Sequence, residues 1–233
     1  MSAPFHFKQF SIFQDTSPFK VGTDAVLLGS WAPVTKGGHY LDIGTGTGIL
    51  ASMLAQRGAG KITAVEPDLQ AANMAKINFE NLPFTCDISL MTTSMEQLVL
   101  QEKADGIVCN PPYFFDHTPN PNLEKVTARH ADKALPDRWC RLWKNGLRET
   151  GTVALVLPVH VVSLWDKALN TNQFYLEKIL WVKSVENGKN IRLLGQWQQH
   201  KPQIIQEEHL FLYEEDKKSR STGYAHLTKD FYL

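Results

Sequence analysis

Cysteine is scarce in this chain: Cys86, Cys109 and Cys140 are three thiols in 233 residues, widely separated and without a Cys-x-x-Cys pair. That excludes a disulfide framework, leaves a zinc site without a ligand set, and fits a reduced, cytoplasmic setting. Long apolar runs are missing as well. No stretch approaches the roughly 18 uninterrupted apolar residues of a membrane span, and the opening Met-Ser-Ala-Pro-Phe-His-Phe-Lys lacks the apolar core of a signal peptide, so no membrane association is expected. Charge of one sign is absent too. Because 24 Lys and Arg balance 24 Asp and Glu, the whole molecule offers no general attraction to nucleic acid, and any such binding must come from a local patch.

What is present is an ordinary globular balance, 43% hydrophobic and 21% charged, enough for one sizeable core and read here as one domain spanning 1–233. Strand-like and helix-like segments alternate through it. Tyr40 to Ile43 reads as a strand, Ile49 to Gln56 as a helix closed by Gly58 and Gly60, and Lys61 to Val65 as a second strand. Asp68 to Asn81 follows as a helix with apolar positions at Leu69, Ala72, Ala75, Ile77 and Phe79, then Ile88 to Met91 and Asp105 to Cys109 as strands. Such alternation implies a doubly wound α/β fold with a mostly parallel sheet and helices on both faces. Further on, Pro136 to Leu147 reads as a helix, Thr152 to Leu157 as a fully apolar strand and Val159 to Leu169 as a helix. Strands are expected at Leu176 to Val182 and Ile191 to Trp197, antiparallel across an Asn187-Gly188 turn, with a last one near His209 to Tyr213.

Two stretches carry chemistry. Asp42-Ile43-Gly44-Thr45-Gly46-Thr47-Gly48 lies where the first strand hands over to its helix, a place where glycines let the backbone approach a ligand and the helix N-terminus presents free N–H groups. Glu66 ends the next strand, where a doubly wound fold sets the carboxylate that accepts ribose hydroxyls. Together they point to an adenosine-bearing ligand rather than to a glycine-rich turn alone. Ile49 occupies the position where a dinucleotide fingerprint needs glycine or alanine, and no Gly-Lys-Ser/Thr ending completes a phosphate loop.

The second stretch, Asn110-Pro111-Pro112-Tyr113, follows the fourth strand, and two prolines there prevent both ladder continuation and an immediate helix. An aromatic amine is a poor nucleophile because its lone pair is delocalised into the ring, so a catalyst must hold its N–H bonds and aim that lone pair. The Asn110 side-chain oxygen and the Pro111 carbonyl are two acceptors suited to this, and they favour the tetrahedral nitrogen formed on reaction. Tyr113 would stack on the target ring, contributing about 1 to 3 kcal/mol. Downstream, Lys125, Arg129, Lys133, Arg138, Arg141, Lys144 and Arg148 outnumber Glu124, Asp132 and Asp137, with Tyr113, Phe114 and Phe115 just ahead, which suits either an RNA-facing patch or a solvated helix face.

The Asp-x-Gly-x-Gly-x-Gly loop resembles the first motif of class I methyltransferases, and the chain as a whole resembles the bacterial tRNA1(Val) adenine N6-methyltransferase family over nearly its full length. The resemblance is carried by Phe5 to Phe10, Lys20-Val21-Gly22-Thr23-Asp24 with Leu27-Leu28-Gly29 and Trp31-Ala32, Asp42 to Gly48, Asn110 to Tyr113, Arg129-His130, and Leu227 to Lys229 with Phe231 to Leu233. It implies a class I fold on a seven-stranded sheet: a 1–38 extension, a 39–160 cofactor-binding and catalytic core, and 161–233 as C-terminal strands and tail. It implies S-adenosylmethionine as cofactor, held by Lys20, Thr23, Asp42, Gly44, Gly46, Gly48, Glu66, Ser94, Met95 and Asn110. Ser94 stands where the family usually has Asp for the adenine amino group, and Met95 where an apolar residue packs on the ring. Lys20 or the Thr23 hydroxyl would meet the cofactor's carboxylate, and Thr23 is also a good helix N-cap.

The same resemblance implies a substrate, adenosine-37 beside the anticodon of a valine tRNA, methylated at N6, with Asn110, Pro111, Pro112 and Tyr113 as the catalytic motif. Tyr113, Phe114, Lys125, Arg129 and His130 would face the RNA, although Arg129 and His130 could instead support the catalytic loop. Enzymes that methylate glutamine in release factors or guanine N2 in ribosomal RNA share Asn-Pro-Pro-Tyr and are the rival readings. The former usually carry a helical domain ahead of the cofactor motif, whereas about 40 residues precede it here, and the latter often duplicate the catalytic domain, which this sequence does not. No metal is called for, and the sequence leaves the oligomeric state open.

Overall fold

A computed structural model describes residues 3–14, 21–112 and 133–232. It opens with a two-stranded antiparallel ribbon, β1 (Phe5–His6) and β2 (Ser11–Ile12), followed by helix α1 (Thr23–Trp31). The alternating unit then runs β3 (His39–Ile43), α2 (Ile49–Gln56), β4 (Lys61–Val65), α3 (Leu69–Glu80), β5 (Asp87–Met91) and β6 (Ala104–Cys109). After it come α4 (Leu135–Gly146), β7 (Leu147–Pro158), α5 (Val162–Thr171), β8 (Tyr175–Lys183), β9 (Asn190–Gln198), β10 (Gln206–Phe211) and α6 (Thr222–Leu227).

Among the described residues one eight-stranded sheet forms in the order β10-β8-β9-β7-β6-β3-β4-β5. β9 is antiparallel to both neighbours and the other pairings are parallel. All eight strands read from the sequence form, the last one as β10 three residues earlier than expected, so the sheet has eight strands and not the seven that the resemblance implies; β10 pairs with β8, and its exposed Gln206 to His209 mark it as an edge. The Asn187-Gly188 connection does join an antiparallel pair, β8 and β9, as the turn chemistry requires.

Period-2 alternation divides the core in two. Along β7, Val153, Leu155 and Leu157 enter one cluster with α4 and α5, whereas Ala154 and Val156 enter the other with α1 and α2. On the first face Trp143 and Trp165 stack at 5.7 Å between ring centres with Trp139 packed against both, so α4 and α5 are locked together by three indoles. Aromatic pairs of this kind add about 0.5 to 1.5 kcal/mol each beyond their burial. On the second face Arg57 donates to the Gly29 and Ala32 carbonyls, capping the end of α1 with a cation. The N- and C-terminal segments interlock there as well: Lys8 N–H donates to the Phe231 carbonyl at 2.8 Å, and Arg220 lies 4.1 Å over the Tyr232 ring.

Helix α3 buries Ala72 and Ala75 of its expected apolar positions and packs Phe79 against the core, but leaves the other two outside. Ala71, Ala72, Ala75 and Asn78 are buried, while Leu69 and Ile77 are exposed. Leu69 sits at the first helical position and Ile77 on the outer side, and small alanines allow the close approach to α2 and β5 that larger residues would prevent. Likewise Gly22, not Thr23, caps α1, with Thr23 as the first helical residue and no side-chain hydrogen bond at the cap. No described helix is long and apolar enough to cross a membrane.

Candidate active site

Register brings the site together. Ile43 pairs with Val65 and with Cys109, and Val65 pairs with Met91, so β3, β4, β5 and β6 end at one level of the sheet. The residues that leave those ends, Gly44, Glu66, Asn110 and the 92–95 segment, therefore share one carboxyl edge, where open α/β sheets bind ligands.

The glycine loop is tethered from several sides. Gly44 and Thr45 N–H groups donate to the Val65 carbonyl at 2.8 and 3.0 Å, and Gly46 N–H donates to Glu66 Oε2 at 2.9 Å. Gly44 has φ +73, and a Cβ built there would meet nothing within 4 Å, so the loop borders open space on that side. Gly48, at φ +86, is the opposite case: its missing Cβ leaves room for the Phe79 ring, which would otherwise lie 2.5 Å away. Glu66 is buried, and its Oε1 accepts the Asp68 N–H at 2.9 Å.

Asp42 lies beneath the loop, fully buried in the central strand. Its Oδ2 accepts from the Thr45 hydroxyl at 2.6 Å and from Ala51 N–H at 3.0 Å, whereas its buried Oδ1 has no hydrogen-bond partner among the described residues. Burial pushes the carboxyl up to about 7 and the Glu66 charge adds to this, while the two hydrogen bonds hold it back. A half-satisfied buried carboxylate beside a space lined by backbone glycine is what a polar, partly cationic ligand would complete.

At the end of β6, Asn110 is half-buried, Pro111 buried and Pro112 exposed. Ser94 caps the 3-10 turn Met95–Gln97, and its hydroxyl hydrogen-bonds Glu96. Burial raises the Glu96 carboxyl, but bonds from its own N–H, the Trp139 indole and Ser94, with the Arg138 charge, bring it below the ordinary range. Met95 is buried against the core that holds Trp139 and Leu41. Both residues thus stand at the expected edge, with internal packing and hydrogen-bonding duties of their own. Lys20, Tyr113, Phe114, Lys125, Arg129 and His130 lie outside the described residues.

Of the basic segment, Arg138, Arg141 and Lys144 belong to α4 and Arg148 to β7. Arg141 pairs with Asp137 and Arg148 with Asp105, each at 2.6 Å, and Arg138 with Glu96 at 3.7 Å, while Lys144 donates to Gln173. Arg141 nonetheless keeps 70% of its side chain exposed, so its charge faces solvent. Two residues that motif reading passes over also serve this region. Arg192 of β9 holds both Asp24 oxygens at 2.9 and 3.0 Å, fixing the start of α1, and Asn78 contacts the glycine loop from α3. Neither carries a sequence signal of its own, since an isolated Arg or a mid-helix Asn reads as surface.

Comparison with known proteins agrees with this arrangement. The family model described as methyltransferase small domain matches residues 17–139. The chain is 36% identical to the "tRNA1(Val) (adenine(37)-N6)-methyltransferase" of Aliivibrio fischeri strain ES114 across 100% of this chain and 99% of that protein. It is also 36% identical to the protein of the same name from Bacteroides thetaiotaomicron, across 98% of this chain and 97% of that one. Among solved structures, a predicted O-methyltransferase of Agrobacterium tumefaciens superimposes with a TM-score of 0.69 at 17% identity, covering 89% of this chain and 96% of that chain, a likeness of fold alone.

Proposed function

The chain belongs to the tRNA1(Val) (adenine(37)-N6)-methyltransferase family, and from that premise we propose that it transfers a methyl group from S-adenosylmethionine to N6 of adenosine-37 in a valine tRNA. The observation that carries the mechanism is the shared strand register, which sets the glycine loop, Glu66 and the Asn110-Pro111 peptide at one edge of the sheet. In this reading the whole chain acts as one cytoplasmic domain, working where tRNA is found and without a metal.

Bound S-adenosylmethionine supplies an electrophilic methyl group on a sulfonium sulfur. The residues present fit such a ligand. Gly44 borders open space, Glu66 offers carboxylate oxygens to ribose hydroxyls while its N–H contacts keep it oriented, and Asp42 Oδ1, without a hydrogen-bond partner among the described residues, gives a positive charge a buried counterpart. Ser94 and Met95 would flank the adenine, and Lys20 or Thr23 the amino-acid end.

On the substrate side, the Asn110 side-chain oxygen and the Pro111 carbonyl accept the two N–H bonds of the adenine amine and turn its lone pair toward the methyl carbon. Their acceptance strengthens as the nitrogen becomes tetrahedral and cationic, so they lower the barrier rather than merely bind. The extra proton then leaves, with no base needed before attack. Pro111 and Pro112 restrict the backbone that aims these oxygens. Tyr113 and Phe114 would stack on the extruded base, and Lys125, Arg129, His130 and the exposed Arg141 would meet the anticodon loop.

The test is methyl transfer from labelled cofactor to total tRNA from a strain lacking this enzyme, followed by nucleoside analysis. N6-methyladenosine in a single valine tRNA is the expected product. Label in release factor or ribosomal RNA, with none in tRNA, would overturn the substrate.

A further inference from the structure

Asn78 is a polar side chain buried completely on α3, and every hydrogen-bonding group of its amide is engaged. Its Oδ1 accepts the Phe13 N–H at 2.8 Å, and its Nδ2 donates to the Phe13 carbonyl at 3.0 Å and to the Thr47 carbonyl at 2.7 Å. One amide orientation alone satisfies all three, because one partner is a donor and two are acceptors. The side chain therefore reads the Phe13 peptide as a β-ladder neighbour would, and reaches from it to a loop peptide far away in sequence.

The Thr47 carbonyl has a particular need for this partner. In a continuous helix it would take the Ala51 N–H, but that N–H goes to Asp42 Oδ2 instead. Thr47 is buried, so its carbonyl depends on Asn78. The next residue along α3, Phe79, fills the space left by the absent Gly48 side chain. Asn78 and Phe79 together form a template against the outer side of the glycine loop, while Asp42 holds its inner side. The Phe13 end is tied down further where Val21 N–H donates to the Gln14 side chain at 2.8 Å, immediately ahead of α1.

We propose that Asn78 is a positioning residue for cofactor binding, holding the Thr47 peptide of the glycine loop and the Phe13 peptide of the N-terminal segment as one unit. This rests on the cofactor reading above. The glycine backbone that borders the ligand space keeps its place only when the Thr47 peptide is fixed, so losing the clamp costs affinity for the cofactor and leaves the reacting groups after β6 untouched.

Asn78→Asp keeps an acceptor for Phe13 N–H and leaves at most one donor, a protonated carboxyl, for the two carbonyls. The expected result is a KM for S-adenosylmethionine raised tenfold or more, with kcat at saturating cofactor and KM for tRNA within threefold of the unaltered enzyme. An unchanged cofactor KM overturns the proposal, and so does a uniform fall in kcat and in affinity for both substrates, which would mark a purely structural residue. If the variant does not fold, hydrogen exchange on the unaltered protein decides. S-adenosylhomocysteine should slow exchange in the peptide containing Phe13 together with that containing residues 45–48, and protection of the loop alone overturns the clamp. Should the unaltered protein neither bind S-adenosylhomocysteine nor methylate tRNA, the cofactor reading has failed and this proposal falls with it.

Discussion

Gly46 N–H donates to Glu66 Oε2 at 2.9 Å, so the glycine loop after β3 and the carboxylate after β4 form one hydrogen-bonded unit. A ligand that binds Glu66 also bears on the loop. Glu66→Gln removes the charge, and its amide can satisfy Gly46 or Asp68 but not both. Cofactor affinity, read by titration calorimetry with S-adenosylhomocysteine, should fall about 10- to 100-fold, since charge-assisted bonds contribute roughly 1.5 to 3 kcal/mol. An affinity within twofold of the unaltered protein would remove Glu66 from the site.

Asn110→Ala should lower kcat about 100- to 1,000-fold, the range for loss of one transition-state hydrogen bond, and that same affinity far less. Single-turnover rates at saturating cofactor and tRNA separate the two effects. Equal losses in binding and rate would mean that Asn110 shapes the loop instead of acting on the amine.

Asp42 makes stability fall with pH. Folding raises its carboxyl from 3.8 to about 7, so between those values the folded chain retains a proton that the unfolded chain has released. Its contribution is therefore lost as pH climbs through that window and stays lost above it, a span on the order of 4 kcal/mol at 1.36 kcal/mol per pH unit. Urea unfolding at pH 5 and pH 8 should show a smaller difference for Asp42→Asn than for the unaltered chain. An unaltered pH dependence would contradict the burial that causes the shift.

Arg141 tests the RNA-facing surface. Arg141→Ala should reduce the slope of log affinity against log salt by about 1 if this charge meets a phosphate, measured by filter binding of tRNA between about 50 and 200 mM salt. An unchanged slope assigns Arg141 to its pairing with Asp137 alone.

The chemistry was far more legible in the sequence than the packing around it. Ile49–Gln56 and Lys61–Val65 have the boundaries that their pattern and flanking glycines indicate, and the Asn187-Gly188 turn announces its hairpin, because local steric rules act there directly. α3 misled at Leu69 and Ile77, which are exposed although Ala72, Ala75 and Phe79 face the core, and Asn78 is turned inward by partners that lie 31 and 65 residues away. β1, β2 and α6 are too short to show a period, and they exist because the two ends of the chain pack together around Phe7 and Tyr232.

β7 and β8 are not neighbours in the sheet, since β9 lies between them. That order constrains assembly in time. The β8–β9 hairpin is local and can close early, whereas β7 can join it only along the outer edge of β9, and β10 only along the far edge of β8. The sheet is thus expected to grow from two blocks that meet at the β7–β9 seam, with the β3–β6 nucleus on one side. Pulse-labelled hydrogen exchange during refolding should find amides within each block protected before those of the seam.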